Sequence, residues 1–145
     1  MNIMIDTNVL LDDILNRGSN AETARKISRL VTDGLVKCFL TANCLTDIFY
    51  IVSKSLNEAA ARRTIKNLLL SFAVVSVDGE DCRLAIDLPM KDFEDALVVV
   101  CAKKAALDYI VTNDKKFLSD MNLSVPAISP SHFLSKHGFL NKGGQ

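Results

Sequence analysis

Asp6 and Asp114 each close a short apolar run: Ile3-Met4-Ile5 before the first, Tyr109-Ile110-Val111-Thr112 with Asn113 before the second. The carboxyl end of a strand in an open parallel α/β sheet is where such sheets bind ligands. Two more acids, Asp92 and Asp95, are three residues apart at the head of an apolar-striped segment and so share a helical face. Asp47 lies beside the stripe Leu45, Ile48, Phe49 and Val52 of another segment with helical spacing. Each acid also has an ordinary reading. Asp6 and Asp114 are turn formers, Asp92 and Asp95 are a cap and a first-turn acid, and Asp47 is a solvated helix residue. Convergence of all of them carries an electrostatic cost, since two carboxylates ~4 Å apart repel by roughly 4 kcal/mol at an effective dielectric of 20. A converged set therefore holds protons or a cation. Oxygen ligands without His or Cys suit Mg²⁺ or Mn²⁺ over Zn²⁺. Such an ion activates water and stabilises phosphate charge, which removes the need for a histidine base. His132 and His137, the only histidines, fall in the last helix at a spacing of five that makes no helical metal pair. Asp95 is the stronger of its pair because Ala96-Leu97 follow it and bring it near the buried face, whereas Glu94 is expected to point to solvent.

The elements that must position these acids follow from periodicity. Ile3–Ile5 has no polar alternation and reads as a strand buried on both faces. Thr7 is expected to cap a helix carrying Val9, Leu10, Ile14 and Leu15 that stops at Gly18. Ser19 or Asn20 opens a second helix with Ala24, Ile27, Leu30 and Val31 on one stripe. Strands are expected at 35–40, 73–77, 109–112 and 125–128, and further helices at about 43–55, from Asn57-Glu58, after Asp78, from Asp92, near 115–118 and from Ser129-Pro130. Phe93, Ala96, Leu97, Val100 and Cys101 should form the buried side of the Asp92 helix. This alternation of strands and helices predicts a parallel sheet covered on both faces, within one domain.

The totals narrow the function classes. With 17 basic and 17 acidic residues, bulk charge advertises no nucleic-acid binder. If Asp6, Asp47, Asp92, Asp95 and Asp114 gather in one site, however, the rest of the chain carries 17 basic against 12 acidic groups, or +5. Cys38, Cys44, Cys82 and Cys101 show no Cys-x-x-Cys spacing and read as small core residues of a reduced, cytoplasmic protein. No apolar run approaches the ~18–20 residues of a membrane helix, so no membrane association is expected. No phosphate-binding loop, dinucleotide fingerprint or serine-nucleophile elbow is present.

Taken in order, Asp6-Thr7-Asn8-Val9-Leu10-Leu11-Asp12, Asp92-Phe93-Glu94-Asp95-Ala96-Leu97 and Asp108-Tyr109-Ile110-Val111-Thr112-Asn113-Asp114 resemble the motifs of PIN-domain proteins. The compact architecture looks most like the VapC toxins of toxin–antitoxin pairs. The resemblance implies a three-layer α/β/α fold with a central parallel sheet of four to five strands, a PIN domain over residues 1–137 and a flexible tail over 138–145. It also implies a metal-dependent endoribonuclease acting on RNA, with Mg²⁺ or Mn²⁺ as cofactor, a small antitoxin partner and a homodimer. Asp6, Asp95 and Asp114 match the family's acidic metal-binding positions. Asp47 matches a further catalytic acid that is often Glu, and is one methylene shorter. Thr7, Asn8, Asp92, Thr112 and Asn113 would be supporting groups. The main alternative is a PIN-like module that binds RNA or a partner without cutting. A metal-dependent phosphatase is disfavoured because Asn8 stands where that class wants a second acid. A plain scaffold in which the acids never meet is the remaining alternative.

Overall fold

The central strand β1 (Asn2–Ile5) pairs in parallel with β2 (Lys37–Thr41) on one side and β4 (Tyr109–Val111) on the other. β3 (Ala73–Val75) extends the sheet beyond β2, and β5 (Ala127–Ile128) extends it beyond β4. The order β3-β2-β1-β4-β5 makes a five-stranded sheet with every pair parallel. This computed structural model describes residues 1–140.

Side chains that alternate along β1 explain the layers. Ile3 and Ile5 pack with one core, and Met4 packs with the other. The first core is closed by α1 (Thr7–Ile14), α2 (Ala21–Thr32), α3 (Ala42–Ser55), α4 (Glu58–Ser71) and α8 (Pro130–Lys136), through residues such as Leu10, Ile27, Ile48, Leu68 and Phe133. The second core is closed by α6 (Phe93–Lys104) and α7 (Lys115–Ser119), with α5 (Gly79–Ile86) packed on α6. The chain is thus a three-layer α/β/α protein. Cys38, Cys44 and Cys101 are buried, and all four thiols are free.

Several boundaries differ from the sequence expectation. α1 is capped by Asp6, not Thr7, and ends well before Gly18. The edge strands β3 and β5 are shorter than expected, since each has a neighbour on one side only. α6 is buried all the way round from Ala96 to Ala102, because the sheet covers one side and α5 the other. Phe93, assigned to its buried side, is 43% exposed. It belongs to the first turn, ahead of the stretch enclosed by both layers. Phe139, within the expected tail, packs on the first core with its ring 6.2 Å from that of Phe133. The remainder of that tail, residues 141–145, lies outside the described residues.

Candidate active site at the strand ends

From β1 the chain first builds outward through β2 and β3, then returns to the opposite side of β1 for β4. The strand order therefore reverses between β1 and β4, and a crevice opens at their carboxyl ends. Asp6 follows β1, and its backbone N–H donates to the carbonyl of Val111 at 2.9 Å, which holds it against the end of β4. Asp114 follows β4 by three residues.

Thr112 ties the two together. Its hydroxyl, fully buried, donates to Asp6 Oδ2 at 2.8 Å and accepts from the Asp114 N–H at 3.1 Å. The bond explains why Asp6 occupies the N-cap position of α1 without a capping bond from its side chain. That carboxylate is turned across the crevice. Asp114 caps α7, accepting from the Lys116 N–H at 2.9 Å and the Phe117 N–H at 3.4 Å through Oδ1 alone. Asp92 is the N-cap of α6 and accepts from the Asp95 N–H at 3.1 Å. The cap thus aims the first turn of α6, with Asp95 at its third position, at the same crevice.

One recess of about 260 Å³ is lined by Asp6, Asp47, Asp92, Glu94, Asp95 and Asp114, with Thr7, Asn8, Tyr50 and Ile51 at its walls. Residues from the ends of two strands, the middle of α3 and the first turn of α6 meet there. Thr112 lies just beneath, through its bond to Asp6. Asn113 lines neither this recess nor its neighbour, and its buried Nδ2 has no hydrogen-bond partner among the described residues. Glu94 is exposed, as expected, and it also lines the recess together with Asp47. Helical spacing placed Glu94 outside the α6 stripe. It carried no sign that α3 would bring a second acid to meet it.

Electrostatics follow from crowding. Burial pushes the Asp95 carboxyl up to about 7, reinforced by the charges of Asp92, Asp6 and Asp114. Glu94 is likewise raised to about 7, by desolvation first and then by Asp47. Asp6 is raised by burial, with the Thr112 hydroxyl opposing the shift. Cys44, whose Sγ receives the Thr7 hydroxyl at 3.0 Å, is pushed up to about 12 by burial and stays a protonated packing group. The histidines are elsewhere. The His137 ring packs 5.0 Å from Phe133 and 5.5 Å from Tyr109, and His132 is exposed on α8.

The all-oxygen donor set and the raised carboxyls fit a hard divalent cation. The carboxylates stand apart, however. Among the described residues, no three acids, histidines or cysteines are close enough to form a ready-made cage.

This architecture defines an open parallel α/β protein with a carboxylate-lined crevice at its topological switch point. The family model described as PIN domain matches residues 2–116, and the chain belongs to that family. It is similar to Ribonuclease VapC1 of Aquifex aeolicus (strain VF5), with 26% identity over 122 residues, 81% of this chain and 84% of that one. Its fold resembles VapBC2 from Rickettsia felis bound to a DNA fragment from the promoter, with TM-score 0.66 and 17% identity over 89% of this chain and 98% of that one. It also resembles VapC20 of Mycobacterium tuberculosis, described as a sarcin-ricin loop cleaving toxin, with TM-score 0.63 and 16% identity over 78% and 90% of the two chains.

Proposed function

We propose that this protein is a cytoplasmic, divalent-cation-dependent endoribonuclease, the toxin of a toxin–antitoxin pair. The observation that carries this reading is the single recess lined by Asp6, Asp47, Glu94, Asp95 and Asp114 at the strand-order switch. The relative named as a ribonuclease supports the activity, and the neighbouring VapBC assembly supports a small antitoxin partner. A homodimer is part of the same proposal.

Asp6, Asp95 and Asp114 are the groups that would hold Mg²⁺ or Mn²⁺, with Asp47 and Glu94 alongside. When bound, the ion supplies Lewis acidity, lowering the pKa of water and offsetting phosphate charge. The chain's own contributions are positional. Thr112 fixes Asp6 across the crevice, and the α7 cap fixes one oxygen of Asp114 while leaving the other without a capping duty. The Asp92 cap orients the turn that bears Asp95. Glu94, raised to about 7 and lining the recess with Asp47, is suited to taking a proton from attacking water. Asn8 and Thr7 line the wall as supporting groups.

Incubation of single-stranded RNA with the purified protein and Mn²⁺ tests the reading. The wild type is expected to cut, EDTA to stop it, and Asp95→Asn to lower the rate by at least about a hundredfold, in line with losing a group that stabilises the transition state. Equal cleavage by both proteins, indifferent to EDTA, would end the proposal. The open stance of the carboxylates favours one other reading, a PIN-like module that binds RNA or a protein without cutting. Absence of any Mn²⁺ uptake by calorimetry would favour it. Copurification with a short partner chain tests the toxin assignment separately from the nuclease assignment.

A further inference from the structure

Beside the carboxylate recess lies a second one of about 420 Å³, and the two share Asp92, Asp95 and Asp114. They therefore form one continuous groove with the acids at its middle. The two ends differ in chemistry. Tyr50 lines the first end only, and Lys91 and Lys116 line the second end only.

Tyr50 is three residues beyond Asp47 on α3, so the ring and the carboxylate are neighbours on one helical face. It is 62% exposed although it stands beside the site. One turn further along, Lys54 places Nζ 5.4 Å from the ring centroid. A large aromatic face open to the groove, backed by a cation, suits a flat, electron-rich partner. At the other end Lys116 is held by α7, whose first turn is fixed by the Asp114 cap. An aromatic face, a carboxylate centre and an ammonium group in that order match base, reacting phosphate and neighbouring phosphate along an extended strand. A duplex would keep its bases stacked within itself and offer none to Tyr50.

Building on the ribonuclease reading, we propose that the groove binds single-stranded RNA, with Tyr50 stacking a base on one side of the scissile phosphate and Lys116 holding a phosphate on the other. Stacking platforms joined to a charged track are a general solution for single strands. Tyr50 is thus assigned to substrate binding and Lys116 to strand positioning.

The test exploits the two tyrosines of the chain, Tyr50 and Tyr109, which 3-fluorotyrosine labelling reports as separate ¹⁹F resonances assigned with Tyr50→Phe. The probe is a fluorescein-labelled single-stranded RNA of randomised sequence, in Ca²⁺ buffer. RNA should shift the Tyr50 resonance and leave that of Tyr109, which packs against Phe133 and His137. By anisotropy, Tyr50→Ala should bind about tenfold more weakly and Tyr50→Phe should bind like the wild type, as expected for loss and retention of one stack. In cleavage, Tyr50→Ala should raise KM with kcat kept. Lys116→Met should reduce the slope of log affinity against log salt by about 0.7, one phosphate contact on a single strand. Bound RNA with an unmoved Tyr50 resonance, or Tyr50→Ala with undiminished affinity, would overturn this assignment and leave the nuclease reading standing. A protein partner seated on Tyr50 instead would give the same unmoved signal. A wild type that neither binds nor cuts RNA would remove both.

Discussion

Asp95 shows how a single residue draws its properties from distant parts of the chain. Its own helix supplies only a third-position acid beside a cap. The carboxyl rises to about 7 because burial and the charges of Asp92, Asp6 and Asp114 surround it. A raised acid pKa means that the folded state holds the proton more tightly than the unfolded chain. Stability is therefore lost as pH rises from the ordinary carboxylate range through about 7. Asp95→Asn removes that penalty. In EDTA at pH 8 the variant should melt above the wild type, although the proposed function has it cut RNA far more slowly in Mn²⁺. The gain is about 1 kcal/mol after allowing for solvent screening, which is roughly 3–5 °C for a domain of this size. Thermal melts of the two proteins check it. A lower melting point for the variant would show that Asp95 supports the fold instead of straining it.

Among the elements, α6 must be held in place for its first turn to face the crevice, and a charged latch does this. Asp81, 3% exposed, forms a capping box with Asp78 at the start of α5. It also pairs with Lys104 at the end of α6, and Lys104 Nζ donates to the Ser76 carbonyl at 2.7 Å just beyond β3. The latch joins α5, α6 and the sheet edge. Lys104 and the capping bonds hold the Asp81 carboxyl below the usual carboxylate range. Its contribution is accordingly present above that range and lost as pH falls through the depressed value. Asp81→Asn should destabilise the protein by roughly 2 kcal/mol. That is less than the ~3–5 kcal/mol for breaking a fully enclosed pair, because the Lys104 side chain is 36% exposed. A urea titration should show the midpoint fall with the slope unchanged. An unaltered midpoint would remove the latch from the account.

At the scale of the whole molecule, the two charged regions pull stability in opposite directions with pH. The Asp81–Lys104 pair weakens in acid, and the strand-end acids repel in base. A cation at the strand ends should relieve the second effect. At pH 8, Mn²⁺ at about a hundred times its Kd should add roughly 2.7 kcal/mol of stability. At pH 6 the gain should shrink, because Asp95 and Glu94 retain protons that the ion must displace. Scanning fluorimetry with and without Mn²⁺ measures both. A shift independent of pH, or one kept in Asp95→Asn, would place the ion elsewhere.

Local sequence was enough for the elements and for which strands end in an acid. Unbroken apolar runs before Asp6 and Asp114 marked buried parallel strands, and Asp78, Asp92 and Ser129 marked helix starts that the structure retains. Those signals are short-range, set by backbone propensity and by the capping of free N–H groups. The strand order β3-β2-β1-β4-β5 is not short-range, and it alone brings the ends of β1 and β4 side by side. The meeting of Glu94 with Asp47 at one recess, the turning of Asp6 towards Thr112, and the meeting of Tyr50 with the acids depend on it as well. No spacing along the chain encodes these meetings, because each is a contact between elements whose relative placement is decided by how the two cores pack on the sheet.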